Sequence, residues 1–252
     1  NLKQNTPDIL ELSNQSVLTG GTLWCVENDS VREIGFFSSP SIINSAYYPS
    51  GGHLGASGVY KYIATYAYES GSGTYEESAP NDLLTVTTSA TNFGSIKFNI
   101  AGYPITNKDR ENVKINVYRT ELNGSIYYKV GSVNCGDSVS FVDGISDVNL
   151  IANGYVYTTG GVFPNAPVGP CYAITATKNR IFTALLENSD MIVYSKEKLS
   201  GYQFEMSQLQ YIDCNGGKFS GKPTDIFEVD EKIVIAKENY LLGIAGDGPN
   251  AA

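Results

Sequence analysis

Residues 59–68 read Val-Tyr-Lys-Tyr-Ile-Ala-Thr-Tyr-Ala-Tyr, and this run constrains the chain more than any other. In an extended backbone Tyr60, Tyr62, Tyr66 and Tyr68 fall on one side, with Val59, Lys61, Ile63, Thr65 and Ala67 on the other. The same spacing wound into a helix gives no single apolar stripe, so the segment is read as a β-strand. Tyrosine and β-branched side chains also suit a pleated, half-buried surface.

The residues that follow repeat the rule at short intervals. Strands are expected over 83–88, 95–100, 112–120, 126–133 and 139–142. Ile96, Phe98 and Ile100 share one face of their segment, as do Val113, Ile115 and Val117 of theirs. Asn123-Gly124 marks a tight hairpin, because that pair tolerates the positive φ angles of primed turns. Short strands separated by turn signals read as an all-β sandwich of about 110 residues, the size of an immunoglobulin-like or fibronectin type III-like module.

On either side the composition changes. Residues 38–57 are rich in Ser, Pro, Gly and Tyr and read as a linker, as do residues 143–170, which include Phe163-Pro164-Asn165-Ala166-Pro167. Outside these linkers the chain carries hairpins of another style. Strands are expected over 22–26 and 31–36 around the turn Glu27-Asn28-Asp29-Ser30. Others are expected over 171–177, 179–186, 191–195, 225–229, 232–236 and 240–245. Residues 1–14 are polar around Ile9, Leu10 and Leu12, and read as a strand end or a short helical turn. The strands beginning near Arg180 and Lys232 share little sequence but lie about 50 residues apart, within the range of propeller-blade repeats. The expected organisation is therefore all-β: propeller-type strands over 1–50, an inserted sandwich over 51–168, and propeller-type strands again over 169–252. Such an insertion puts Trp24 and Phe182 in one body. The start at Asn1, without an initiator Met or a signal peptide, reads as a position inside a longer parent chain.

The 252 residues carry a net charge of −9, which opposes the basic face that nucleic-acid binding requires. No apolar run reaches the roughly 18 residues of a membrane helix. Cys25, Cys135, Cys171 and Cys214 are too widely spaced for a zinc knuckle, and reduced, buried thiols are expected, with a disulfide between two of them as the alternative.

Candidate chemistry is sparse. His53 stands among glycines with no Gly-x-Ser-x-Gly elbow in the chain, so it reads as a loop histidine. Glu76-Glu77 and Asp230-Glu231 are adjacent acids, which point to opposite faces of a strand; they read as turn and edge charges, not a glycosidase pair. Asp137, Asp143 and Asp147 would offer oxygens to Ca²⁺ if the sandwich end brought them together, but their spacing is not that of an EF-hand, and turn chemistry is the plainer account. Gly243-Ile244-Ala245-Gly246-Asp247-Gly248 lacks the Lys and the following helix of a phosphate loop. The tyrosine face of residues 60–68 is either a platform for sugars or ordinary packing, with packing favoured. No catalytic, metal or cofactor-binding residue is assigned, and no enzyme activity is expected.

Several short motifs resemble one family. Leu23-Trp24-Cys25-Val26-Glu27-Asn28-Asp29-Ser30-Val31-Arg32-Glu33-Ile34-Gly35-Phe36 is similar to a blade hairpin in the tail proteins of short-tailed bacteriophages, the hub, nozzle, muzzle and stabilization proteins. Residues 59–80, with Tyr60-Lys61-Tyr62 and later Glu77-Ser78-Ala79-Pro80, resemble the start of the fibronectin-like module inserted into the propeller of those proteins. Val117-Tyr118-Arg119-Thr120 and Ser140-Phe141-Val142-Asp143 are similar to its later strands. Asn179-Arg180-Ile181-Phe182, Val193-Tyr194-Ser195 and Gly246-Asp247-Gly248-Pro249 resemble the resumed propeller. The chain stops at Ala252, short of a closed propeller. The resemblance implies a non-enzymatic virion component, assembled in the host cytoplasm. It would form a ring of copies of itself, commonly six-fold, around the DNA ejection channel, beside other tail or portal-adaptor proteins and with no membrane contact. DNA would pass without specific binding, helped by the acidic balance of the chain. A carbohydrate-binding host-recognition module and a glycan hydrolase are the competing readings.

Overall fold

In the computed structural model the described residues are 7–12, 14–28, 30–90, 94–158, 163–177, 179–188, 190–215 and 223–245. They divide into two compact units: Asn1–Gly35 together with Ala166–Ala252, and Phe36–Asn165. The first unit is thus built from two stretches of chain, and Trp24 and Phe182 both belong to it. Among the described residues all of the sheets are antiparallel, and no helix is long and apolar enough to cross a membrane.

The first unit contains three sheets. β1 (Ile9–Glu11), β2 (Ser16–Leu18), β3 (Trp24–Glu27) and β4 (Ser30–Glu33) form one four-stranded meander. A second is made by β13 (Cys171–Ala176), β14 (Ile181–Leu185), β15 (Met191–Ser195) and β16 (Met206–Asp213). β17 (Pro223–Val229), β18 (Lys232–Lys237) and β19 (Leu241–Ile244) form the third. Period-two alternation lets the second meander bury both of its faces. Ile174, Ile181 and Val193 meet Val17, Leu23 and Cys25 of the first sheet on one side. Phe182, Ala184, Ile192 and Tyr194 meet Ile226, Ile233 and Ile235 of the third on the other. The two stretches of chain are also tied by a bridge between Gly21 and Cys171. Below it, a reciprocal amide pair joins Gln15 and Gln203, with Nε2–Oε1 distances of 3.0 and 3.1 Å.

Residues 1–14, open between strand end and helical turn, include the edge strand β1. Asn28 occupies the β3–β4 turn at φ 45°, a left-handed position that asparagine tolerates better than most residues. Asp29, Ser189 and the expected Gly246-Asp247-Gly248-Pro249 motif lie outside the described residues.

The second unit is a two-sheet sandwich. One sheet runs in the order β11 (Tyr127–Asn134), β10 (Val113–Thr120), β6 (Val59–Glu69), β7 (Tyr75–Glu77), with β8 (Leu84–Thr87) pairing the other end of β6. Its partner has the order β12 (Gly136–Asp143), β9 (Ser95–Gly102), β5 (Ser41–Tyr48). The four tyrosines of β6 all point into the space between the sheets, where Phe98, Ile96 and Ile100 meet them. Their exposures are 0, 0, 2 and 6% in chain order, so the face is packing and not a sugar platform. In the first of these sheets β10 lies between β6 and β11. β12, the last strand of this unit in chain order, is an edge of the other sheet beside β9.

Both linker readings need correction. Residues 41–48, inside the first expected linker, are a strand paired with β9, which places the change of unit at residues 35–36 and not at 50–51. A register shift between Ile42 and Asn44 breaks the alternation and hides the strand from a period-two reading. The glycines after it mark close approach, not slack. His53 N–H donates to Gly144 O at 2.8 Å and Leu54 N–H to Gly94 O at 3.1 Å. A Cβ on Gly52 would fall 2.7 Å from the Gly144 Cα and closer still to the Gly94 carbonyl oxygen. Since backbone cannot swing aside as a side-chain tip can, Gly52→Ala is expected to cost about 1–3 kcal/mol, as overpacking does, read as a lower urea midpoint with unchanged slope. The second linker carries α1 (Asp147–Ala152), N-capped by Ser146, whose side chain accepts from Asn149 N–H, and Leu150 is buried beneath it.

The Asn123-Gly124 pair also sits differently from its expected place. β10 and β11 end at Thr120 and Tyr127, so the connection has six residues, not two. Gly124 N–H donates to Glu121 O, which makes Leu122 and Asn123 the central residues of the turn, with Asn123 at φ 57°.

Candidate functional site

Strand β10 carries polar residues to both of its faces, and the two polar centres of the sandwich are built from them. Val113, Ile115 and Val117 point inward, and the next residue of that register is Arg119. A fully buried guanidinium requires partners for its charge and its donors. Asp143, the last residue of β12, lies 2.7 Å from Nε, and Asp147 at the start of α1 lies 2.6 Å from an Nη. The other Nη donates to Ile145 O at 2.8 Å. Tyr62 O–H donates to Asp143 at 2.6 Å, and Asp147 accepts from Leu122 N–H at 3.0 Å and from Tyr60 O–H at 3.3 Å. The guanidinium carbon also stands 4.5 Å from the centre of the Tyr60 ring.

Burial pushes the Tyr60 hydroxyl up to about 12 and the Tyr62 hydroxyl well above its ordinary value. Burial likewise raises the Asp143 carboxyl, opposed by the charge of Arg119 and the hydrogen bond from Tyr62. For Arg119, burial works against the charge, and Asp143 with Asp147 outweighs it. The pair Asp143–Asp147 therefore does converge, but on a side-chain cation that occupies the place of a metal. Asp137 stays exposed on β12. Among the described residues no three His, Cys, Asp or Glu side chains are grouped to hold a metal ion.

The outward register of β10 is Lys114, Asn116 and Tyr118. Thr65 of β6, Asn116 of β10 and Ser132 of β11 are cross-strand neighbours on that face, and Glu77 of β7, paired with Ala67, lies diagonally beside Thr65. They are hydrogen-bonded in a row across the sheet. Thr65 O–H donates to Glu77, Asn116 Nδ2 donates to Glu77 at 3.2 Å, and Ser132 O–H donates to Asn116 Oδ1 at 2.7 Å. Tyr118 O–H donates to the same Glu77 oxygen at 2.7 Å, and Asn116 Nδ2 also lies 2.9 Å from the Tyr75 hydroxyl. Above this row runs a groove of about 370 Å³, lined among others by Tyr75, Asn112, Lys114, Lys129 and Ser132. Burial holds the Lys129 ammonium below its ordinary pKa, with Glu77 pulling it up and Lys114 pushing it further down.

The remaining sequence candidates are dispersed. His53 is exposed and engaged only through its backbone in the described contacts. Glu76 and Glu77 do point to opposite faces, but both are buried: Glu76 pairs with Lys108 at 3.3 Å, so neither is the expected edge charge. Asp230 and Glu231 are the two central residues of the β17–β18 hairpin, at φ 50° and 63°. Gly243 is a strand residue of β19. The four cysteines are free thiols, three of them buried, and burial pushes Cys135, Cys171 and Cys214 up to about 11.

Neither centre was assigned from sequence. The one available signal was an arginine in the inward register of an otherwise apolar strand. The outward row had none, since its four members come from four strands whose register only folding fixes. Comparison with protein-family models found no match to this chain, and comparison with curated proteins found none either.

Proposed function

We propose that this chain is a non-enzymatic structural component of the tail of a short-tailed bacteriophage, part of a ring around the channel through which DNA leaves. The observation that carries the reading is the discontinuous first unit, whose stacked antiparallel sheets are interrupted in sequence by a complete sandwich. Two of the three sheets are four-stranded meanders, the form of a propeller blade, and stacking them face to face is how blades bury their apolar sides. In this reading the sandwich is the fibronectin-like guest, with β6, β10 and β11 as its C, F and G strands, and further copies and other tail proteins complete the ring. The motifs around Trp24, Tyr60 and Phe182 support the same assignment.

The polar centres fit a structural role. Arg119 is ion-paired with Asp143 and Asp147 and donates to Ile145 O, and the row at Glu77 is hydrogen-bonded within itself, so both fix the sandwich in one geometry. The net charge of −9 favours a surface that DNA phosphates do not grip. An antibody raised against the chain is expected to decorate the tails of intact particles in electron micrographs, at the tail axis. Labelling confined to the head, or to a host fraction free of particles, overturns the assignment.

A further inference from the structure

We infer that the groove on the outer face of the five-stranded sheet is a binding site for a saccharide bearing a carboxylate. The floor is preorganised: Asn116, almost fully buried, fixes the hydroxyls of Tyr75 and Ser132 on either side of itself through contacts of 2.9 and 2.7 Å. Those hydroxyls, the Asn112 amide and the half-buried Tyr75 ring lie along the groove, a set that matches sugar hydroxyls and one apolar sugar face. Lys114 and Lys129 line the same groove, and among the described residues neither ammonium makes a hydrogen bond or a salt bridge.

A half-buried lysine with no such partner is unfavourable unless something supplies the charge. Glu77 lies beneath the floor and attracts Lys129 electrostatically, but its carboxylate is taken up by Thr65, Asn116 and Tyr118. The two ammoniums therefore face the groove while the acid nearest them is held in the floor, and the other acid of the lining, Glu69, is exposed at the rim, where solvent screens it. A sugar carboxylate placed between Lys114 and Lys129 fits that arrangement, and a volume of about 370 Å³ accommodates a short oligosaccharide segment. The inference does not depend on the tail assignment.

Calorimetric titration of the intact chain with trigalacturonate should show saturable binding. Its methyl ester, neutral and otherwise alike, should bind about tenfold more weakly or less, as should acetate alone, which tests for a simple anion site. Lys129→Met should lower trigalacturonate affinity about tenfold, and Ser132→Ala by a smaller factor. Lys114→Met, at an exposed position that leaves the fold intact, should weaken binding too and decides the matter should Lys129→Met fail to fold. No binding of trigalacturonate, equal binding of the ester, equal binding of acetate, or indifference to both lysine substitutions overturns the inference.

Discussion

Arg119→Ala is expected to lower the stability of the sandwich by about 3–5 kcal/mol, the cost of breaking a buried ion pair from one side. The substitution leaves Asp143, buried completely, without its cation and with only Tyr62 O–H and Ile145 N–H as donors. It also releases Asp147, which pins the β10–β11 turn through Leu122 N–H. Denaturant unfolding followed by circular dichroism reads the loss, and amide exchange at Leu122 and Ile145 reads its location. The combined change Arg119→Met with Asp143→Leu should recover part of the loss, because an apolar pair of similar volume removes the stranded charge. A loss below about 1 kcal/mol for Arg119→Ala would mean that water reaches Asp143, and would contradict the buried geometry.

How much of this was legible follows from where the information lies. Strands with unbroken alternation and clear punctuation could be read closely: β15 is residues 191–195, as expected, and β9 and β10 differ from expectation only at their ends. β5 was hidden because Ile43 faces solvent, a bulge interrupts the period and glycine-rich chain follows. β16 is half Ser, Gln and Asp, and its polar members lack the alternation that marks a buried face. The sites were harder for a different reason. Asp143 and Asp147 are four residues apart in sequence, but what they do depends on Arg119, which reaches them only when the two sheets close. The glycines at 51, 52 and 55 read as slack because sequence gives composition, while the contact of Gly52 with Gly94 and Gly144 is a property of three segments.

Phe98→Ala and Leu23→Ala are expected to act on different transitions. Phe98 is fully buried in the sandwich core, in contact with the Tyr62 ring at a centroid distance of 4.6 Å, and its truncation should cost about 3–5 kcal/mol. Leu23 belongs to the core shared by the first and second meanders, and its truncation should cost about 2–5 kcal/mol. The two cores have no residue in common, so each unit has its own apolar stabilisation. Thermal scans should therefore resolve two transitions, with Phe98→Ala lowering one and Leu23→Ala the other. Leu23 is the sharper test, because it lies in the first stretch of chain while most of its cluster lies beyond residue 165. If the two stretches form one unit, Leu23→Ala must expose amides of β13 and β14 to exchange although they are about 150 residues away in sequence. Loss of protection confined to residues 7–34 would break the discontinuous unit apart, and with it the guest-and-host architecture on which the tail assignment rests.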